Sequence, residues 1–370
     1  MDGEPVPCDA PSSINAVLGG RAVRAAVVGV GYIGHHHIAA LQALKGVEVA
    51  VCDQSPARAE STAERFRLGH CFTDLGQMLS DYRPEVVHVT TPPMSHVPLA
   101  LAALQAGAHV FVEKPIAPCM EQWRRLRDRA VSCGRWVVED HNYRFNSPVR
   151  EVLRRVGTGQ FGQVMHVDLL FCSSILAPGS GFADPNMEHP TLHLPGGAIG
   201  DFLPHLAYLA TLFVGPHLTV RTAWSKHASD SPFPHDEMRA LVRAKHGTAA
   251  LAFSAHSQPD AFWLRVYGTK MTANVNLFES RLTFDRVRAG PRPLTPLLNG
   301  LAEARAVRRA TVRSLVNKLA GGPGVYGGLW ELVRQFYTNL QSGQAPPISL
   351  QDIDDANRLV ADLTAEENRV

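Results

Sequence analysis

Two side chains able to exchange a proton or hold a charge stand four residues apart in an otherwise apolar stretch, Asp201 and His205 in GGAIGDFLPHLAYLATLFVG. Histidine, with an ordinary pKa of about 6.5, is suited to gain and lose a proton near neutral pH. If residues 198–213 are helical, the i, i+4 spacing puts both groups on one face about a turn apart. A third candidate, Lys114, follows directly on an apolar run in HVFVEKP. An ammonium group there can stabilise negative charge developing on an oxygen. Taken singly, each has a plainer reading: histidines in apolar helices are usually packing groups, and most lysines are solvated surface charges. Pro204 lies between the first pair. It lacks an N–H and crowds the carbonyl four residues back. Either a helix starts near Asp201, which then caps it, or the helix kinks there.

The elements that would position these groups begin with RAAVVG at 24–29, a short strand ending in glycine. A helical pattern follows over 33–44, then a second strand over 47–52 closed by Asp53. The turn between strand and helix is Gly29-Val30-Gly31-Tyr32-Ile33-Gly34, a GxGxxG. Gly29 allows the tight turn, Gly31 lets a pyrophosphate approach the backbone, and Gly34 lets helix and strand pack closely. The helix N-terminus then offers unpaired N–H groups and partial positive charge to phosphates. GxGxxG alone is weak, but between a strand and a helix, with an acid closing the next strand, it is a strong dinucleotide signal. A carboxylate at Asp53 accepts hydrogen bonds from ribose hydroxyls and repels a 2′-phosphate, which favours NAD over NADP. Gln54, Ser55 and Arg58 soften that preference.

Alternation continues with helices over 57–66, 75–80 and 96–106 and strands over 86–90 and 109–112. In a doubly wound sheet, ligands sit at the carboxyl ends of the strands. Thr90, Thr91, Pro92, Glu113 and Lys114 fall there, and Tyr32 and Ile33 in the turn and His96 at a helix start complete the candidate cofactor contacts. The second half reads differently. Residues 165–171, 218–225, 238–243, 249–255, 262–267 and 272–277 are strand-like runs, with Lys245-His246-Gly247 as a hairpin turn.

GVGYIGHHHIAAL, TTPPMSHVPLALAALQAGAHVFVEKPIA, HNYRFNSPVREVL and GGAIGDFLPHLAYLATLFVG together resemble the Gfo/Idh/MocA family of oxidoreductases. The likeness extends through LVRQFYTNLQSGQAPPISLQDIDDANRLVADL near the chain end. It implies an α/β N-terminal Rossmann domain over 21–144, after a mobile leader at 1–20. An α+β domain built on a large, open-faced, mostly antiparallel sheet would fill 145–370. A C-terminal helix is expected to pack back toward the first domain. The resemblance also implies that Lys114, Asp201 and His205 form a catalytic group. His205 would serve as general base, Lys114 would hold the reacting oxygen and Asp201 would orient its partners. A variant of that scheme makes the lysine the proton carrier. Asn142 and Arg144 match positions that contact cofactor or substrate, and His37 matches a histidine of the family. An open sheet face in a subunit interface implies a homodimer or homotetramer. Met271 departs from the family, which usually has a glycine in that turn.

The remaining features bound the reading. The formal net charge is +2 over 370 residues, and charged residues are 19%. This gives no field for nucleic acid. The six cysteines form no CxxC pair, and His35-His36-His37 cannot share one helix face, so no metal site is expected. No apolar run is long enough to span a membrane. The first 20 residues lack the apolar core of a secretory signal, making the cytoplasm the default. His189 and His193 lie in a Pro/Gly-rich stretch, 177–197, which is either a substrate loop or an inert surface loop. Residues 286–322 form a basic insertion, helical from Leu297, with Arg305, Arg308, Arg309, Arg313 and Lys318 beside an apolar stripe. A solvated helix packed on its own subunit or a neighbour is the simpler reading. Peripheral contact of 297–319 with an anionic membrane, or a cover for a phosphate-bearing substrate, is the other. The whole points to a dehydrogenase or reductase of sugar-like secondary alcohols. A redox-neutral glycosidase and a cofactor-binding regulator are its rivals.

Overall fold

The computed structural model describes residues 22–177, 180, 182, 190–229, 231, 233–287, 293–319 and 324–370. The expected leader, His189 and part of the 177–197 stretch lie outside the described residues. The chain divides into two compact units, one running up to Asn142 and joined by 321–353, the other comprising 143–320 and 354–370. The domain boundary expected after 144 therefore falls at 142, and 321–353 leaves the second domain for the first.

In the first unit β1 (Val23–Val28), β2 (Val47–Cys52), β3 (His70–Phe72), β4 (Val86–Val89), β5 (His109–Val112) and β6 (Val137–Glu139) make one parallel sheet in the order β3-β2-β1-β4-β5-β6. Helices α1 (Tyr32–Gln42), α2 (Pro56–Phe66), α3 (Leu75–Gln77), α4 (His96–Gln105) and α5 (Met120–Cys133) connect them. The central strands bury Ala25, Ala26, Val27, Val86, Val87, Val110, Phe111 and Val112 completely. Near-continuous apolar runs are what a parallel sheet covered on both faces requires.

The second unit opens with α6 (Ser147–Gly157) and carries β7 (Val164–Cys172), α7 (Ala198–Val214), β8 (His217–Ser225), β9 (Glu237–Ala244), β10 (Thr248–Ser254), β11 (Ala261–Gly268), β12 (Met271–Asn276), β13 (Arg281–Arg286) and α8 (Leu294–Leu319). Its sheet runs β13-β12-β11-β7-β10-β9-β8, antiparallel except where β10 and β7 pair in parallel. The mostly antiparallel open sheet is the one expected. Strand β13 is an addition to the expected set, because 281–286 runs straight into the basic insertion. Met271 opens β12 opposite Arg286 and packs on the core, which accounts for a side chain where a turn glycine is usual. One face of the sheet packs on α7 through Phe171, Phe202, Phe253 and Phe262.

The other face is mixed rather than apolar. Asp168 accepts from the Tyr267 hydroxyl at 2.7 Å and lies 2.8 Å from His166, while Leu170 and Leu241 stand exposed. Helix α8 packs on β13 and donates from the Asn299 amide to the Arg286 carbonyl at 3.1 Å. With Glu303 it encloses a cavity of about 390 Å³ against Trp263, Arg265, Tyr267, Arg281 and Asp285. Its half-buried side holds Ala302, Ala306, Val307 and Ala310, while Leu297, Leu301, Val312, Leu315 and Val316 are exposed. The insertion is thus a helix laid on its own sheet, with its larger apolar residues outward. After it come α9 (Gly327–Ser342), packed on α1 in the first unit, and α10 (Leu350–Thr364), which ends in the second.

Candidate active site

The glycine turn has the shape its sequence requires. Gly29 has φ +91°, and a Cβ on it would lie 2.6 Å from Thr91 Cγ2. A Cβ on Gly34 would sit 2.3 Å from the Gly29 carbonyl oxygen. Around Gly31, by contrast, nothing lies within 4 Å of that position. Gly31 is also the N-cap of α1, which has no side-chain cap and no acid in its first turn. Open space at a helix N-terminus with unclaimed N–H groups suits a pyrophosphate. Asp53 ends β2, and its carboxylate accepts from the backbone N–H of Val30 (3.0 Å) and Ser55 (2.9 Å), with the Arg58 guanidinium 3.3 Å away. The residues present therefore fit a dinucleotide.

Other expected cofactor residues turn their polar atoms toward the protein. Thr90 is buried and donates to the Gly29 carbonyl at 2.6 Å, holding the turn from below. His96 is buried with its ring nitrogens 2.8 and 2.7 Å from the carbonyls of Pro115 and Thr91, linking the loops after β4 and β5. Tyr32, Pro92 and half-buried Thr91 and Ile33 lie nearer the surface.

Lys114 begins the turn after β5 and is half-buried. Its backbone N–H donates to Glu113 Oε2 at 3.1 Å, and two residues on, Ile116 N–H donates to Glu139 Oε1 at 2.9 Å. Buried carboxylates thus grip the turn on both sides. His141 Nε2 lies 3.0 Å from the other Glu139 oxygen. Glu139 closes an apolar strand and is almost fully buried, so its oxygens draw on these contacts in place of water.

In the second unit, α7 begins at Ala198, capped by Gly197 at φ 61°. Asp201 is in its first turn rather than its cap, and Pro204 lies inside the helix. The missing N–H of Pro204 leaves the Gly200 carbonyl without its usual helical donor. His205 is 6% exposed, with Nδ1 2.9 Å from the Tyr208 hydroxyl. That hydroxyl also accepts from the Tyr143 backbone N–H at 3.1 Å. The Tyr143 ring stands edge-on to the imidazole at 4.9 Å. Asn142 and Arg144 are half-buried around the 3-10 turn Asn142–Phe145, and His193 is exposed at the end of another, Pro190–His193.

Tyr208 is not among the residues that sequence singles out, although its i+3 spacing from His205 is the available signal. Nor are Asp140 and His88, polar residues in the apolar strings VVED and VVHVT. Donor atoms of His37, Glu113 and Asp140 lie within 4.8 Å of one another, all buried.

Comparison with known proteins agrees with this geometry. Residues 23–141 match the family described as "Oxidoreductase family, NAD-binding Rossmann fold", and 149–274 match the GFO/IDH/MocA C-terminal domain. An uncharacterised oxidoreductase of Synechocystis is 28% identical over 265 residues, 66% of this chain and 69% of that protein. D-glucoside 3-dehydrogenase of Escherichia coli is 32% identical over 144 residues, 38% of this chain and 41% of the relative's length. The WlbA dehydrogenase of Bordetella pertussis, crystallised with NADH and UDP-GlcNAcA, superposes with a TM-score of 0.74. It shares 21% identity over 93% of this chain and 94% of its own. The chain belongs to the GFO/IDH/MocA oxidoreductase family and carries that family's NAD-binding Rossmann domain.

Proposed function

We propose that this protein is a dehydrogenase or reductase that interconverts a secondary alcohol and its ketone on a sugar, cyclitol or nucleotide-sugar-like molecule, with Lys114, Asp201 and His205 at the reacting oxygen. NAD, favoured over NADP by Asp53, would be held at the Gly29–Gly34 turn and supply the hydride acceptor or donor. The observation that carries the reading is the His205–Tyr208 pair. A buried imidazole on an apolar helix is backed by a hydroxyl that serves either tautomer. The Tyr208 oxygen accepts from Nδ1–H when Nε2 carries no proton. It goes on accepting from Nδ1–H once Nε2 has taken one, and it donates to Nδ1 in the other neutral tautomer. His205 can therefore change protonation at Nε2 without losing its partner, which general acid–base work requires. Lys114, on a turn gripped by two carboxylates, supplies a fixed positive charge for the oxygen. Asp201, one helical turn before His205, would orient substrate or a partner.

The name of the E. coli relative and the ligand of the Bordetella dehydrogenase both support a carbohydrate-like substrate. Asn142, Arg144 and His193 are its proposed contacts, with Arg144 suited to a carboxylate or phosphate. A homodimer or homotetramer using the outward sheet face belongs to the same proposal.

The test is a screen of sugars, inositols and nucleotide sugars for change at the nicotinamide absorbance band, followed by variants. Lys114→Ala and His205→Ala should each lose on the order of 10²-fold or more in turnover while still binding NAD. Tyr208→Phe should lose less. Stoichiometric NADH formation separates this reading from a redox-neutral glycosidase. Unaltered turnover in both alanine variants would sink the site assignment.

A further inference from the structure

Five buried side chains of the first unit form one hydrogen-bonded line. The Tyr337 hydroxyl lies 3.0 Å from His88 Nε2, His88 Nδ1 is 2.9 Å from His37 Nδ1, and His37 Nε2 is 3.1 Å from Glu113 Oε1. The Glu113 carboxyl then meets that of Asp140, with an oxygen of each within 4.8 Å. None of the five is more than 5% exposed. They come from α9, β4, α1 and the ends of β5 and β6, so the line ties separate elements together behind the Lys114 turn.

The donors can be assigned from the contacts. Glu113 accepts from the Lys114 backbone N–H at one oxygen and lies 3.1 Å from His37 Nε2 at the other, so with the His37 proton on Nε2 it is an acceptor on both sides. Its bond to Asp140 then needs a proton, and Asp140 is the group left to provide it. With both histidines neutral, the order runs one way: Tyr337 O–H to His88, His88 Nδ1–H to His37, His37 Nε2–H to Glu113. A proton on His37 Nδ1 as well would reverse both the His37–His88 and the His88–Tyr337 bonds, and Asp140 would still be the donor to Glu113. Two carboxylates in contact in a dry interior cannot both ionise. Burial, the Glu113 charge and the shared bond hold Asp140 well above its usual range, while Lys114 opposes and Glu139 adds to the shift. For Glu113 burial acts upward too, but His37, Lys114 and Asp140 together bring it below its usual value. Asp140 Oδ1 is buried without a hydrogen-bond partner, tolerable for an acid's carbonyl oxygen and costly for an anion.

We propose that Asp140 is a neutral carboxylic acid at physiological pH whose O–H donates to Glu113, and that this bond is the positioning device that sets the Glu113-Lys114-Pro115 turn. Its consequence for turnover rests on the role of Lys114 given above, whereas the protonation state stands on its own. Asp140 is then a positioning residue, acting on the lysine through Glu113. Leaving it neutral keeps the Glu113–Asp140 pair at one negative charge rather than two beside the lysine.

Infrared difference spectroscopy of parent against Asp140→Asn, at neutral and mildly alkaline pH, is the first test. The parent should show a buried protonated-carboxyl band that the variant lacks. Asparagine keeps a neutral donor for Glu113, so Asp140→Asn should turn over within about threefold of the parent. Asp140→Ala, which removes the donor, should lose about tenfold or more in kcat with KM changed less. Absence of the acid band in the folded parent overturns the protonation state. An asparagine variant as impaired as the alanine one, with native stability, overturns the positioning role. A stoichiometric metal ion in the purified parent, lost in His37→Ala, overturns both, since it would claim the same donor atoms. The infrared reading needs no substrate, so a failure of the dehydrogenase assignment remains distinguishable from a failure here.

Discussion

At the scale of single residues, Asp53 shows how one carboxylate serves fold and selectivity together. It accepts from Val30 N–H and Ser55 N–H, tying the glycine turn to the end of β2. Its neighbour Arg58 is 65% exposed and 3.3 Å away, able to swing toward a 2′-phosphate once the carboxylate is gone. NAD(H) should therefore bind more tightly than NADP(H). Asp53→Ser should narrow the gap by roughly tenfold or more, the scale of one charge-assisted hydrogen bond. Calorimetric titration of both cofactors checks this, and equal or NADP-preferring affinity in the parent would overturn it. Asp53 and the three glycines were legible from sequence because a backbone motif leaves a fixed spacing. His88, Asp140 and Tyr208 were not. His88 takes its meaning from a partner 249 positions away, Asp140 from a carboxylate on a neighbouring strand, and Tyr208 from a helical turn whose start was uncertain. Pro204 obscured that start: the helix begins at Ala198 and runs through the proline.

At the scale of elements, the β1–α1 turn separates steric from ligand-binding demands. Gly34→Ala would drive a Cβ into the Gly29 carbonyl oxygen, a backbone atom that cannot move aside. A loss of about 1–3 kcal/mol, typical of overpacking, is expected in denaturant unfolding of the apo protein. Gly31→Ala meets no protein atom, so apo stability should hold while NAD affinity falls by about tenfold or more, as the pyrophosphate loses its approach to the helix N-terminus. Similar losses in both variants would contradict the division. The buried histidines of the same unit set its acid limit. Burial, then neighbouring positive charge, lowers His36 to about 4, and burial with Arg135 lowers His109 to about 4. Burial also lowers His88 and His96. These groups bind protons more readily unfolded, near pH 6.5, than folded. Their neutral forms therefore stabilise the fold above about pH 6.5, and that contribution is lost as pH falls toward 4. The loss is at most about 1.4 kcal/mol per pH unit for each proton of difference, and less for His109, which solvent partly screens. Unfolding followed from pH 7 to pH 4 should show this decline. A flat profile would mean that the rings titrate normally in the fold.

At the scale of the whole chain, sequence disclosed two sheets of different kinds, because a run such as VVHV and an alternation such as EMRALVRA obey different burial rules. It did not disclose the bounds of the segment 321–353 that joins the first unit, since the pattern of an amphipathic helix such as α9 does not by itself say which apolar face will cover it. The proposed assembly rests on the outward face of the second sheet. Leu241, midway along β9 and one strand in from the sheet edge, is 69% exposed, opposite Arg221 on β8 and Ala250 on β10, and Leu170 is exposed on the central strand β7. Around these leucines run Arg239, Arg243 and the Asp168–Tyr267–His166 cluster, an apolar centre with a polar surround of the kind that protein interfaces show. Helix α8 covers the β13 end of the sheet and leaves the β7 to β9 region open, so that region is where a second copy should dock. Light scattering at micromolar concentration should give a dimer or larger. Leu241→Lys adds a fourth positive charge beside Arg221, Arg239 and Arg243. It should shift the population toward monomer without lowering the unfolding temperature of the isolated chain, because no core packing is removed. A parent that runs as a monomer of 40.3 kDa would refute the interface. An oligomer unaffected by Leu241→Lys would move it elsewhere, with the exposed leucines of α8 the next surface to mutate.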